Sequence, residues 1–274
     1  MSEETGPPVV RRIVLGLHPS PHGRAALDAA ARLASFLGLE LRGVYVQEER
    51  LMRLPGVLRE VDAVSGRVRR LDSSGLERQI RAEAARAHQE LSQVAGRLRL
   101  RWTFQSSRGE VATVVREAAT SRDLVAVGVG TRTFGRALGS TARALLSVTE
   151  LPVLVSRAGM HLGPHVHVVD DGTVSGAGAV QLARSLTERK GTRLTIHVAG
   201  KEGSGRRRAE RYRGELRAAG RTGDVVRTAP GRGAAAPLAE RDCGLVILPR
   251  TALGGDGAEL ERILRHSASP VLVV

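Results

Sequence analysis

Short apolar runs and segments with helical apolar spacing alternate along the chain. The first run, residues 12–17, is unbroken and of strand length, which is typical of a sheet covered on both faces. Residues 24–37 follow with apolar positions at helical spacing, and Gly38 stands where a helix C-cap is expected. Strands that alternate with helices predict right-handed crossovers and a parallel sheet.

The same order of elements occurs twice, and the phrase Pro-Val-Leu-Val closes both copies at Pro152–Val155 and Pro270–Val273. In the first copy the pattern predicts strands at 12–17, 39–46, 98–105, 124–127 and 153–155, and helices at 24–37, 76–94, 111–119 and 141–148. In the second copy it predicts strands at 165–170, 193–198, 224–228, 245–248 and 271–274, and helices at 177–190, 206–219, 234–240 and 258–266. The chain is therefore expected to form two tandem α/β domains with parallel sheets, residues 9–157 and 164–274, joined by a short linker.

Two features refine this picture. Residues 50–75 lack clean periodicity and are predicted to be an insertion with a short helix around 54–64, followed by a helix that Ser73 or Ser74 would cap. The last strand of each copy is short and apolar, and would be an open sheet edge if left alone. We expect these two strands to lie side by side and antiparallel, giving a pseudo-twofold within one chain.

Composition excludes several classes of protein. Aromatic residues make up 2% of the 274 residues, so the cores must be aliphatic, and a base-stacking surface for single-stranded nucleic acid is disfavoured. Cys243 is the only cysteine, which excludes internal disulfides and cysteine-cluster metal sites. No apolar run approaches the length of a membrane span, and residues 1–8 are acidic and polar rather than signal-like. A cytoplasmic protein that makes no use of the membrane is expected.

The formal net charge is +14, which raises the question of a nucleic-acid partner. The one dense basic cluster lies on a predicted helix and comprises Arg206, Arg207, Arg208, Arg211, Arg213 and Arg217. This helix could contact phosphates, or it could simply present a solvated face. The spread of arginines among many acids favours the solvated face over nucleic-acid binding.

The turn after the fourth strand of the first copy is the main candidate for chemistry. Gly128 and Gly130 follow a buried strand, where glycines let the backbone approach a ligand. Gly139, Ser140 and Thr141 begin a helix, whose free N–H groups and dipole favour an anion such as phosphate. Ligands of open parallel sheets bind beyond the carboxyl ends of the strands, where the strand order reverses. The alternative is that the glycines only permit a tight turn and the serine caps a helix.

These residues resemble the universal stress protein family in its tandem, two-domain form. The resemblance rests on His18–Ser20 before a helix that starts near Arg24, and on Val127-Gly128, Gly139-Ser140 and Leu151–Val155 in order. It implies an adenine-nucleotide-hydrolase-like fold with five parallel strands in the order 3-2-1-4-5, and final strands that pair between two units. It also implies that some members bind ATP, through an Asp that ends strand one, a residue of strand two, and a Gly-x-x-Gly-(nine residues)-Gly-Ser/Thr loop.

The first copy departs from that pattern. His18 stands where the Asp is expected, Leu41 takes the position on strand two, and eight residues rather than nine separate Gly130 from Gly139. The nucleotide site that the resemblance implies for this copy consists of His18, Leu41, Gly128, Gly130, Gly139, Ser140 and Thr141.

The second copy keeps a different part of the pattern. Asp171 occupies the Asp position, but Pro249 replaces the first glycine and has no N–H to offer a phosphate. Asp256 and Glu259 would repel an anion. Asp171 is therefore expected to be the vestige of a site, serving as a turn residue and helix cap, and this copy is expected to be chiefly structural.

Other groups of polar residues give weaker evidence for a functional site. His161, His165 and His167 are close together and could hold a metal, but a linker entering a strand explains them as well, and no metal is predicted. No nucleophile, base and oxyanion hole can be assembled, so an enzyme is not favoured.

The sequence thus predicts a non-enzymatic ligand sensor or interaction module of the stress response, with weak or lost binding of ATP or another adenine nucleotide. Two alternatives stay open: an ATP binder or slow ATPase working through the first domain, and a scaffold or weak nucleic-acid binder using the arginine-rich helix. In addition to the internal pseudo-dimer, the formation of a homodimer by two whole chains is left as an alternative.

Overall fold

The computed structural model describes residues 10–48, 59–61, 68–70, 73–129, 138–188, 192–228, 244–253 and 258–274. Its strands are β1 (Arg12–Leu17), β2 (Glu40–Glu48), β3 (Arg59–Val61), β4 (Val68–Arg70), β5 (Trp102–Gly109), β6 (Asp123–Gly128), β7 (Val153–Ser156), β8 (His165–Asp170), β9 (Arg193–Ala199), β10 (Gly223–Thr228), β11 (Leu245–Leu248) and β12 (Val271–Val273). Its α-helices are α1 (Pro21–Leu37), α2 (Ser73–Arg97), α3 (Val111–Ala118), α4 (Ser140–Val148), α5 (Val174–Leu186), α6 (Glu202–Ala218) and α7 (Ala258–His266). A 3₁₀ helix covers Arg250–Leu253.

Ten of the strands form one continuous sheet in the order β10-β9-β8-β11-β12-β7-β6-β1-β2-β5. Each half of this sheet has the strand order 3-2-1-4-5, and every pairing within a half is parallel. The predicted α/β class and strand order are confirmed. We call the half built on β1, β2, β5, β6 and β7 the first half and the other the second half.

The two halves meet through their last strands. β7 and β12 pair antiparallel, with Leu154 opposite Leu272, and both leucines are almost completely buried. On either side of this pair, Val153 lies opposite Val273 and Val155 lies opposite Val271. Because Val153 and Val271 hold equivalent positions in the two halves, as do Val155 and Val273, a pseudo-twofold axis passes between the two leucines. The predicted side-by-side arrangement is confirmed.

Two aliphatic cores cover the two faces of the sheet, as the shortage of aromatic residues predicts. One core packs α1, α2, α5 and α6 against the sheet, and the other packs α3, α4 and α7 against its opposite face. Both cores continue across the junction, because Leu154 and Leu272 belong to the first, and Val155 and Val273 to the second. Burial on both faces is what the unbroken apolar strands require.

Capping fixes the ends of α1. Ser20 accepts a hydrogen bond from the backbone N–H of Gly23 at 3.1 Å, which satisfies one of the free donors of the first turn. Gly38 ends the helix in the left-handed conformation with φ of 69°, which glycine adopts without strain. The C-cap predicted at Gly38 is confirmed.

Two predicted elements are wrong. The strand expected at 98–105 begins only at Trp102, because α2 continues to Arg97 and the chain then turns through Arg99, whose φ is +52°. The short helix expected around 54–64 is contradicted at Arg59–Val61, which forms a strand paired antiparallel with Val68–Arg70. The predicted helix at 234–240 lies outside the described residues.

An ion pair joins the halves beside the junction. Arg143 on α4 donates a hydrogen bond to Glu261 on α7, and Glu261 is only 7% exposed. The two residues are 118 positions apart, the same separation as Leu154 and Leu272, so they are equivalent positions in the two halves. A dimer of two identical halves would place like charges here, whereas the tandem chain places opposite ones.

Arginines also bind helix ends across the junction in both directions. The Arg157 guanidinium donates to the carbonyl groups of Leu264 and Ser267 at 3.0 Å each, at the end of α7. Arg250 donates to the carbonyl of Leu146 in α4, and to that of Leu151 at 2.9 Å. A cation at a helix C-terminus satisfies free carbonyls and complements the dipole.

We predict that Arg143→Glu destabilises the chain, because it places a second carboxylate against the buried Glu261. The expected loss in the free energy of unfolding is about 1–3 kcal/mol, above that of an exposed pair and below that of a fully buried one, because Glu261 is buried but Arg143 is 38% exposed. Urea denaturation of the whole chain measures it.

The matched control is Arg81→Glu, since Arg81 and Glu77 form an exposed pair at 3.8 Å whose loss costs only a few tenths of a kcal/mol. The double variant Arg143→Glu/Glu261→Arg restores the pair with its charges exchanged. If the double variant were no more stable than Arg143→Glu, complementary charge would not be what holds these helices together.

Candidate functional site

The carboxyl ends of β1 and β6 mark the point in the first half where the strand order reverses. β1 pairs with β2 on one side and with β6 on the other. His18 follows β1 and is exposed, and Gly128 is the last residue of β6. Among the predicted site residues, the structure brings His18 and Gly128 to this end of the sheet, which is where ligands of open parallel sheets bind.

Close packing explains Gly128. A Cβ atom at this position would lie 2.3 Å from the carbonyl oxygen of His22 and 3.2 Å from the Cβ of Ala26. The end of β6 therefore touches the first turns of α1, and only glycine fits there. Gly128 is required by the fold whether or not a ligand binds.

Gly139, in contrast to Gly128, is not required by close packing. It is the N-cap of α4 with φ of −70° and no side-chain cap, and a Cβ added to it would meet nothing within 4 Å. Ser140 is the first residue of α4 rather than its cap, and its side chain is exposed. Neither backbone strain nor packing demands a glycine here. Among the described residues, no side chain caps the N-terminus of α4, and the first N–H groups of a helix favour an anion.

Leu41 does not belong to this site, which corrects the sequence-based assignment. It pairs with Ile13 near the amino end of β2 and is 0% exposed, so its side chain lies in the core. In the register of the two strands, Tyr45 lies opposite Leu17, the last residue of β1. The part of β2 that follows Tyr45 is therefore the part that lies next to the candidate site. Gly130 lies outside the described residues.

In the second half, an arginine fills the equivalent end of the sheet. Arg208 of α6 donates to the carboxylate of Asp170, with Nε and Oδ2 2.8 Å apart, and Asp170 is 1% exposed. The guanidinium packs against Gly172 and Gly200, where an added Cβ atom would lie 2.8 Å and 3.0 Å from its atoms. Gly172 and Gly200 have positive φ of 85° and 136°. The cleft at the ends of β8 and β9 is therefore occupied by the chain itself.

Asp171 is bound by hydrogen bonds of its own turn. It accepts from the N–H and hydroxyl of Thr173, at 3.0 Å and 2.6 Å, and from the hydroxyl of Thr251. Burial raises the pKa of Asp171, but the hydrogen bonds from Thr173 and Thr251 outweigh it and hold the pKa below its usual value. Thr173, not Asp171, caps α5 through the N–H of Gly176 at 3.0 Å.

His165 and His167 lie on one strand face with ring centroids 4.0 Å apart, as the sequence indicates, and His167 also forms a buried pair with His197 that the sequence analysis missed. Nδ1 of His167 lies 2.9 Å from Nε2 of His197, and the two side chains are 0% and 2% exposed. Burial, followed by repulsion from His165, His197 and Arg193, lowers the pKa of His167 to about 3. Burial, followed by repulsion from His165, lowers the pKa of His197 to about 4. In the described part of the chain, no three His, Cys, Asp or Glu side chains are placed to hold a metal.

Sequence reasoning missed the pair of Arg208 and Asp170. The available signal was the alternation along β8, which puts Asp170 on the same face as the buried Val166 and Val168. A carboxylate in that position requires a cationic or hydrogen-bonding partner. Which arginine supplies it depends on how α6 packs on the sheet.

A sequence model described as the universal stress protein family matches residues 10–157, more than half of the chain. The chain belongs to the universal stress protein family. No curated relative matches at the level of sequence.

Solved structures agree with the tandem form of this universal stress protein. A universal stress protein from Archaeoglobus fulgidus DSM 4304 matches with a TM-score of 0.74 and 15% identity, covering 97% of this chain and 98% of the other. A functionally unknown protein from Pseudomonas aeruginosa PAO1 matches with a TM-score of 0.56 and 16% identity, covering 97% of this chain and 92% of the other. At these identities the likeness concerns the fold. Among the described helices, none has the length and apolar character that crossing a membrane demands.

We predict that the His167–His197 pair makes the protein less stable as the pH falls below 6.5. Both histidines have folded-state pKa values below the unfolded value, so the unfolded chain binds more protons and stability is lost on acidification. Between pH 6.5 and pH 5 the loss is on the order of 2 kcal/mol for each histidine. The first half has Val14 and Val44 at the equivalent strand positions, so His167→Val/His197→Val is the natural test.

Urea unfolding at several pH values measures the effect. The double variant should show a shallower pH dependence than the parent chain, whereas His161→Gln, which changes an exposed histidine, should keep the full dependence. An unchanged slope in the double variant would contradict the assignment.

Proposed function

We propose that this universal stress protein is a non-enzymatic ligand sensor of the stress response whose first half binds an adenine nucleotide weakly and whose second half is structural. The observation that carries the proposal is the contrast between the two halves. Among the described residues no side chain caps the N-terminus of α4, whereas in the second half Arg208 fills the carboxyl ends of β8 and β9, the strands equivalent to β1 and β2. We also propose that the two domains span residues 9–157 and 164–274 and that the protein is cytoplasmic.

The first half offers the elements that phosphate groups need. The free N–H groups at the start of α4 and the exposed Ser140 hydroxyl are donors, and the helix dipole adds a partial positive charge. Members of the family can bind adenine nucleotides, and His18 stands where the resemblance implies an Asp. Because an imidazole replaces a carboxylate acceptor, we propose an affinity below that of a member with the full pattern.

In the second half, Arg208 occupies the position at the ends of β8 and β9 that the same ligand would need. Arg208 and Asp170 satisfy each other at 2.8 Å, and the guanidinium covers the glycines that would otherwise let a ligand approach. Displacing Arg208 would leave the carboxylate of Asp170 buried and unpaired, which is strongly unfavourable. We therefore assign this half to the stability of the pseudo-dimer.

A sensing role is favoured over hydrolysis. Hydrolysis of ATP would need a group that activates or orients the attacking water. Among the described residues, neither Ser140 nor Thr141 has a side-chain hydrogen bond to a histidine or carboxylate with which it could do so. The donors at α4 can bind a phosphate without activating a nucleophile. Changes at α4 on binding would then be the signal that a partner detects.

We predict that Gly139→Asp abolishes binding of ATP to the whole chain, because it places a carboxylate where the phosphates would lie. The same change should leave stability unchanged or raise it by a few tenths of a kcal/mol, since Asp is a better N-cap than Gly and the position has room. Isothermal titration calorimetry and thermal unfolding measure the two effects.

The matched control is Gly178→Asp, which adds the same charge on α5 where a Cβ atom also meets nothing within 4 Å. It should bind ATP as the parent chain does. ATP binding that survives Gly139→Asp would place the pocket elsewhere, and release of inorganic phosphate by the parent chain would establish the alternative of a slow ATPase.

A further inference from the structure

A second cleft lies at the opposite end of the sheet in the second half. It has a volume of about 700 Å³ and is open to solvent. Arg193 and His165 are the first residues of β9 and β8, and Gly223 is the first residue of β10, so the cleft sits at the amino ends of these strands. It is thus separate from the carboxyl-end position where the family resemblance implies a nucleotide.

Four arginines line this cleft, together with one hydroxyl and one imidazole. The residues that matter for a ligand are Arg193, Arg213, Arg217, Arg221, Thr195 and His165. They come from β8, β9, α6 and the turn after α6, so the fold alone brings them together. Among the described lining residues, Asp224 is the only carboxylate, and it pairs with Arg193 at 2.6 Å.

Backbone contacts hold two of the arginines in place. Arg213 donates through Nη2 to the carbonyl oxygen of Val225 at 2.9 Å, on the edge strand β10. Arg221 donates through Nη1 to the carbonyl oxygen of Arg184 at 2.9 Å. Arg221 also pairs with Glu188 at 3.1 Å, so its charge is already compensated, whereas Arg213 forms no such pair among the described residues. Because a guanidinium has five N–H donors, Arg213 is oriented by its backbone bond and retains donors for a ligand.

The charge of α6 is concentrated on this cleft. Arg206 pairs with Glu210 at 2.9 Å, and Arg208 pairs with Asp170 at 2.8 Å. Arg211 lies near Glu215 and over the ring of Tyr212. Within the described part of the chain, Arg217 makes no ion pair. Of the six arginines of the basic cluster, Arg206, Arg208 and Arg211 therefore lie beside carboxylates, Arg213 and Arg217 line the cleft, and Arg207 is exposed outside it.

We propose that this cleft binds a small anion with several phosphate groups, such as a tripolyphosphate chain or a metabolite that carries one. Guanidinium groups match phosphate oxygens in a bidentate manner, and several of them favour a polyanion over a single charge. The volume and concave shape are those of small-molecule sites. A nucleic-acid strand would need an extended track with aromatic platforms, which this surface does not provide among its described residues.

Inorganic tripolyphosphate is the probe. Isothermal titration calorimetry with the whole chain is expected to show saturable binding to one site that weakens as salt is added. Arg213→Gln and Arg217→Gln should each lower the affinity about tenfold or more, because each removes a charged hydrogen-bond donor. Arg206→Gln is the matched control on the same helix, and should change the affinity less than about twofold, since Arg206 already pairs with Glu210 outside the cleft.

Three outcomes overturn the proposal: no saturable binding, an equal loss in the Arg206→Gln control, or displacement of tripolyphosphate by a single-stranded oligonucleotide that binds more tightly. Gly139→Asp separates this site from the nucleotide proposal. The cleft is expected to bind tripolyphosphate unchanged in that variant, and a loss there would place the anion at α4 instead. Thermal unfolding of Arg217→Gln, an exposed residue, verifies that the fold is intact.

Discussion

The antiparallel pairing of β7 with β12 is the interaction on which the rest of the molecule depends. It joins two open edges, each with a short apolar strand, into the centre of a ten-stranded sheet. Both cores become continuous across it, and α4 and α7 are brought side by side. The charges of Arg143 and Glu261 then complement each other at equivalent positions. The junction thus favours two unlike halves in one chain over two identical ones.

Once the halves are joined, each is free to differ. The first half keeps the N-terminus of α4 open, and the second closes its own strand ends with Arg208 and Asp170. The same divergence occurs inside the sheet, where valines of the first half are replaced by His167 and His197. A buried histidine pair that must stay neutral costs stability at low pH.

The distribution of arginine explains how a chain with a net charge of +14 can present a localised anion site. Many of the arginines act within the fold: Arg157 and Arg250 bind helix carbonyls across the junction, and Arg12 pairs with the buried Asp123 at 2.7 Å. The guanidinium group suits these roles because its planar set of donors satisfies several acceptors at once. The charge that matters to a ligand is what remains after these contacts, and on α6 the cleft gathers two such arginines, Arg213 and Arg217.

The sequence by itself determined the repeat, the order of strands and helices, the C-cap at Gly38 and, through the pairing of two short apolar strands, the pseudo-twofold. These follow from periodicity and glycine conformation, which act over a few residues. Only the tertiary structure decided that Leu41 lies in the core, that Asp170 and not Asp171 meets an arginine, and that the chain turns at Arg99 before β5. Each of these depends on the register of strands about 30 residues apart or on how a helix packs against them. Such contacts between distant residues leave no local pattern in the chain.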